Sequence, residues 1–170
     1  KTPEVYFPNH AWKHAATEPL KFTSLQDQVD VMVTANGGGV GVLATDAAER
    51  LGIPLEFAPP DLQAQFRLAM PEFASAKNPV DLSGMAGPEM YDKSVRAALA
   101  HPWVDGLAVL YCENSLTVPM DIAKSVHGAI HDSGVTGKPV TIAFIGGERS
   151  AECLAWFMDK GVPAFETPDR

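Results

Sequence analysis

The sequence predicts an α/β domain: a doubly wound parallel sheet held between layers of helix. Three observations carry this. Short β-rich apolar runs alternate with amphipathic segments from residue 29 to residue 166. Glycine, proline or asparagine punctuates the runs. The 170 residues, 46% hydrophobic and 20% charged, suffice for one buried core. Strands separated by helices join in parallel, and right-handed crossovers put helices on both faces.

Residues 29–35 (VDVMVTA) read as a buried strand, stopped by Asn36-Gly37-Gly38-Gly39. A helix over 40–51 follows. Val40, Leu43, Ala44, Ala47 and Leu51 share one face, with Asp46, Glu49 and Arg50 opposite. Gly52 closes it and Pro54 follows. Residues 53–57 read as a second strand, and Pro59-Pro60-Asp61 leads into a helix over 62–68. Residues 78–82 (NPVDL) are extended, because proline disfavours helix in the residue before it. Pro88 opens a helix to residue 100 with Tyr91, Val95, Ala98 and Leu99 inward. The remaining strands are 104–111, 139–145 and 162–166. Between them lie helices over 119–132, with Ile122, Val126 and Ile130 inward, and 149–160, packing through Cys153, Leu154 and Phe157. The pattern is a doubly wound fold of the flavodoxin or Rossmann kind, three layers deep (α/β/α).

Residues 1–28 carry three prolines and no sustained period, so they read as a linker or arm. The domain proper is 29–170. The chain opens on Lys1, and no helix follows the final strand. The expectation is a fragment of a longer multidomain protein.

Charge removes several classes of function. A net charge of -8 argues against nucleic acid and against anionic membrane surfaces. No run approaches the roughly 20 apolar residues of a membrane span, and a cytoplasmic protein is the default. Cys112 and Cys153 form no CxxC pattern, so neither a metal site nor a disulfide framework is expected, and both read as apolar fillers. His127 and His131 are spaced to share a helix face, which reads as solvated rather than metal-binding; His10 and His14 have the same spacing in the arm. His101 reads as a cap on the carbonyls of a helix end. The Gly-x-Ser-x-Gly elbow of serine hydrolases is absent.

Ligands of doubly wound folds sit at the carboxyl ends of the strands. The segments there are 36–41, 113–116 and 146–148, joined by 78–81. The most informative is Asn36, Gly37, Gly38, Gly39, Val40 and Gly41, between a strand and a helix. Glycine permits positive φ and close approach, and a helix start offers unpaired N–H groups to an anion. Phosphate is the usual choice. Gly39-x-Gly41-x-x-Ala44, with Glu56 ending the second strand, also fits a dinucleotide fingerprint loosely, which keeps an oxidoreductase open. No Gly-Lys-Ser/Thr follows, so this is not a Walker loop. Asp81 suits a loop cap or a general base. Glu148 suits a helix start, and beside a phosphate it would repel unless it held a histidine or metal.

The order of segments resembles the nucleoside-diphosphate-forming acyl-CoA synthetases, relatives of succinyl-CoA synthetase. The resemblance rests on Thr34 to Asp46 (TANGGGVGVLATD), Ala76 to Leu82 (AKNPVDL), Tyr91, His101 to Gly106 (HPWVDG), Gly137 to Val140 (GKPV) and Gly146-Gly147-Glu148. It implies the flavodoxin-like CoA-ligase domain of an ADP-forming acid–thiol ligase. Such enzymes convert carboxylate, CoA and ATP to acyl-CoA, ADP and phosphate through an acyl phosphate and a phosphohistidine. On this resemblance 36–41 would hold phosphate or phosphohistidine, and Asn78, Asp81, Gly146, Gly147 and Glu148 would line the pocket. No catalytic residue and no tightly bound cofactor or metal is expected in this chain. CoA, ATP/ADP and Mg2+ belong to the parent enzyme. The implied partners are a CoA-binding domain, a phosphohistidine domain and an ATP-grasp domain, so the chain alone is expected to be inactive. Alternatives are an acyl-CoA-sensing regulatory domain of a protein acetyltransferase, a dinucleotide-binding domain and a non-catalytic assembly domain.

Overall fold

The computed structural model describes residues 30–135 and 137–169. Residues 1–28, with His10 and His14, lie outside them. The elements in order are β1 (Val31–Ala35), α1 (Gly38–Leu51), α2 (Pro60–Arg67), β2 (Val80–Asp81), α3 (Pro88–Ala100), β3 (Gly106–Cys112), α4 (Pro119–Asp132), β4 (Val140–Ile145), α5 (Glu148–Asp159) and β5 (Ala164–Phe165). All five strands are parallel, in the order β2-β1-β3-β4-β5. That is the flavodoxin-like order, so the predicted fold class holds.

Alternation along each strand sorts the core. Val33, Ala35, Leu110 and Ala143 pack with Val40 and Ala44 of α1 on one face. Met32, Val109, Tyr111, Ile142 and Phe144 face the other way, onto residues of α3, α4 and α5 such as Val95, Ile122 and Phe157. The predicted inward residues of those three helices are buried, with Ile130 half-buried. Among the described helices, α1 alone covers its face, with Leu55 packed beside it.

Three expectations change. Residues 53–57 form no strand, and β2 takes the place beside β1. Pro54 removes a backbone donor from that stretch. Glu56 therefore ends no strand, and the dinucleotide fingerprint loses its acid. On α1, Leu43 and Leu51 are 53% and 68% exposed. The helix is held through smaller residues instead: a methyl at Gly41 would stand 3.4 Å from Pro79 Cβ. His101 does not cap carbonyls. Its Nδ1 accepts the Trp103 N–H, and its Nε2 lies 3.2 Å from Asp61 Oδ2. Lys138 Nζ does the capping, donating to the carbonyls of Leu99 and His101.

Side-chain amides complete the ladders on both sides of β1. Asn78 is 4% exposed. Its Oδ1 accepts the Val33 N–H at 2.9 Å, and its Nδ2 donates to the carbonyls of Val31 and Glu56. Val80 pairs with Thr34, so Asn78 stands level with Met32 and bonds β1 as a strand residue would there. Asn36 does the same for β3. Its Oδ1 accepts the Cys112 N–H and its Nδ2 donates to the Cys112 carbonyl. No described helix is long and apolar enough to cross a membrane.

Candidate functional site

In an all-parallel sheet every strand ends on the same edge. Gly37, Ser83, Glu113 and Gly146 each follow a strand there. The starts of α1, α3, α4 and α5 therefore open on one side of the molecule.

The start of α1 is bare. Gly37 is its N-cap, with φ -166 and ψ 129, an extended conformation open to any residue. The first helical bond runs from Gly41 N–H to the Gly37 carbonyl. The N–H groups of Gly38, Gly39 and Val40 have no intrahelical acceptor. No side chain caps the helix, and its first turn holds no acid. The first turns of α2, α3, α4 and α5 each hold one: Asp61, Glu89, Asp121 and Glu148.

None of these glycines adopts a positive φ. The expected conformational reason for them therefore fails, and space remains as the reason. Gly41 makes room for Pro79, and a methyl at Gly38 would come within 3.2 Å of Asp81 Oδ2. Around Gly39 a methyl would meet nothing within 4 Å, and around Gly37 only Val40 at 4.0 Å. Packing demands neither of those two. What they leave open is an approach to the N–H groups.

Asp81 stands beside that start. Its Oδ1 accepts the Ser83 N–H at 2.9 Å and holds Ser83 at φ 77, in the left-handed region. The loop-capping reading of Asp81 is thus satisfied, with Oδ2 left facing Gly38. The amides of Asn36 and Asn78 are committed to the sheet.

At α5 the picture reverses. Glu113 Oε2 accepts the Gly147 N–H at 3.1 Å and the Ser150 hydroxyl at 2.8 Å. Its Oε1 pairs with the Arg149 guanidinium, 2.8 Å from both Nε and Nη2. The Ser150 hydroxyl, then the guanidinium, hold the Glu113 carboxyl below the usual carboxylate range. A methyl at Gly146 would lie 2.5 Å from Glu113 Cβ, from Oε2 and from Ser150 Oγ. Glu148 itself is exposed. The segment 146–148 thus receives a carboxylate of its own chain. Sequence reasoning marks the segment 113–116 but misses Arg149 and Ser150, whose signal is long-range and absent from any local motif.

The remaining candidates are structural. The rings of His127 and His131 stack 6.1 Å apart, and His127 also packs edge-on to Trp156. Burial lowers the His127 pKa. Burial pushes the Cys153 thiol up to about 11, which makes it a poor nucleophile. Among the described residues no group of three or more His, Cys, Asp or Glu side chains could hold a metal ion. Shallow clefts of about 280 and 400 Å3, neither lined by a glycine, lie against Leu43 and Ile145 and against Leu154 and Phe165.

Residues 12–169 match the Ligase-CoA domain. This chain belongs to that family. Among curated relatives, the alpha subunit of ADP-forming acetate–CoA ligase I from Pyrococcus furiosus is 41% identical over 141 residues, 83% of this chain and 30% of that protein. ADP-forming acetate–CoA ligase I from Archaeoglobus fulgidus is 28% identical over 83% of this chain and 19% of its own length. Among solved structures, a dinucleotide-forming acetyl-coenzyme A synthetase 1 from Ca. Korarchaeum cryptofilum, in complex with phosphate and ADP, superposes with a TM-score of 0.79. It is 38% identical, over 82% of this chain and 30% of its own. The chain thus spans about 30% of the length of the first of these relatives.

Proposed function

We propose that this Ligase-CoA domain is the phosphate-holding part of an ADP-forming acyl-CoA synthetase. The parent enzyme converts carboxylate, CoA and ATP to acyl-CoA, ADP and phosphate in the cytoplasm. CoA, nucleotide and Mg2+ bind to its other domains: a CoA-binding domain, a phosphohistidine domain and an ATP-grasp domain. Within this chain the α/β unit is 29–170; the family match begins earlier, at residue 12, inside the segment 1–28 assigned as linker or arm. The bare start of α1 carries the reading. Its N–H groups and the positive end of its dipole stabilise a phosphate or phosphohistidine dianion without a lysine. The relatives' names and the phosphate in one of them support it.

The domain does no acid–base chemistry of its own here. It offers fixed dipoles, which cost no reorganisation when the phosphoryl group arrives. Asp81, beside Gly38, keeps the loop shape and sets one wall.

The test is phosphorylation of histidine in the assembled synthetase, driven by acyl-CoA plus phosphate. Gly39→Leu places a side chain over the open N–H groups. The expected result is labelling slowed by about 10-fold or more, the scale of losing oriented donors, with thermal stability retained. Undiminished labelling would overturn the assignment.

A further inference from the structure

We propose that Glu113 is a specificity residue: it acts as the resident anion of α5 and confines an incoming phosphoryl group to α1. This rests on the phosphate-holding role of α1. Both helices open on the same edge, and each starts from glycine. Only one is free. The Glu113 carboxylate takes the Gly147 N–H, the Ser150 hydroxyl and the Arg149 guanidinium together.

The seat is built rather than casual. Only 17% of the Glu113 side chain is exposed, and Ser150 is 1% exposed. The Glu113 N–H bonds the Ile145 carbonyl at 2.8 Å, which ties the carboxylate's own strand end to β4 just before the α5 turn. Gly146 has no room for a methyl because the carboxylate lies against it. Arg149 is the one Lys or Arg among the described residues of the four strand-following segments 36–37, 82–87, 113–118 and 146–149. Glu113 neutralises it. A phosphate dianion meeting α5 would therefore face a carboxylate, not a free helix start with a cation beside it. At α1 no side chain caps the helix; Asp81 Oδ2 stands beside Gly38, with no cation among the described residues bridging it to the helix start.

The experiment is a titration of the 170-residue chain with inorganic phosphate, read by amide 1H–15N shifts, with chloride at matched ionic strength as the control. In the unsubstituted chain the amides of Gly147, Arg149 and Ser150 stay still. In Glu113→Ala the same amides move with phosphate and saturate, because the seat is empty and Arg149 is free. Glu113→Gln keeps the shape and removes the charge, and shows the same movement at smaller amplitude; it decides the matter if the alanine variant loses its dispersed spectrum. Movement at Gly147 and Ser150 in the unsubstituted chain would overturn the proposal, as would stillness there in both variants. The amides of Gly38, Gly39 and Val40 report separately. Their silence removes the role of α1 and leaves the α5 result to be read by itself.

Discussion

Asn36 and Cys112 exchange two hydrogen bonds across the end of the sheet, at 2.7 and 3.0 Å, through the Asn36 side chain and the Cys112 backbone. Here β1 has already turned away into α1, and the amide keeps β3 paired after its neighbour has left. Asn36→Ala leaves the half-buried Cys112 N–H and C=O without these partners. The expected cost is about 1–3 kcal/mol, read as a lower midpoint in urea denaturation with an unchanged slope.

Gly39→Ala separates stability from function. Nothing crowds a methyl there, and alanine favours helix over glycine by up to about 1 kcal/mol. The melting temperature should rise or hold. A helical Cβ tilts toward the N-terminus, so the same methyl leans over the open N–H groups. Phosphate affinity should fall. A rise in both would show that the glycine serves no ligand.

Asn78→Asp should be worse than Asn78→Ala near neutral pH. The new carboxylate would face the carbonyls of Val31 and Glu56 with no proton to offer. Its pKa would rise on folding, so its penalty shrinks as pH falls and the proton returns. Denaturation curves of both variants across the acid range would show their stabilities converging.

For Glu113 the sign is opposite. Its folded pKa lies below the ordinary value, so its stabilisation is complete above roughly pH 5 and fades as pH falls through the folded value. The stability difference between the unsubstituted chain and Glu113→Gln should be flat above that point and narrow below it. A difference independent of pH down to acid would mean the carboxylate is not the stabilising form.

Much of this was legible from local pattern. The helices 88–100 and 119–132 are bounded by Pro88 and Pro119, and the structure keeps those limits. The glycine run marked the right helix start, though its reason is open space and not positive φ. Residues 53–57 have the apolar content of a strand but lose one ladder donor at Pro54, while β2 is two residues long and too short for any periodicity. Leu43 and Leu51 share the predicted face of α1, yet contact falls on its smaller residues. Glu113, Arg149 and Ser150 lie up to 37 positions apart, so their meeting depends on the β3–β4 pairing. Asn78 read as pocket lining because asparagine looks functional in sequence. Its burial against β1 is a tertiary fact.

The Asn78 amide has a consequence for self-association. β2 pairs with only Thr34 and Ala35 of β1, which would leave the start of that strand as an unpaired row of donors and acceptors. Such rows template the addition of strands from other molecules. One buried side chain occupies both the Val33 N–H and the Val31 carbonyl, so a foreign strand finds no vacant rung there.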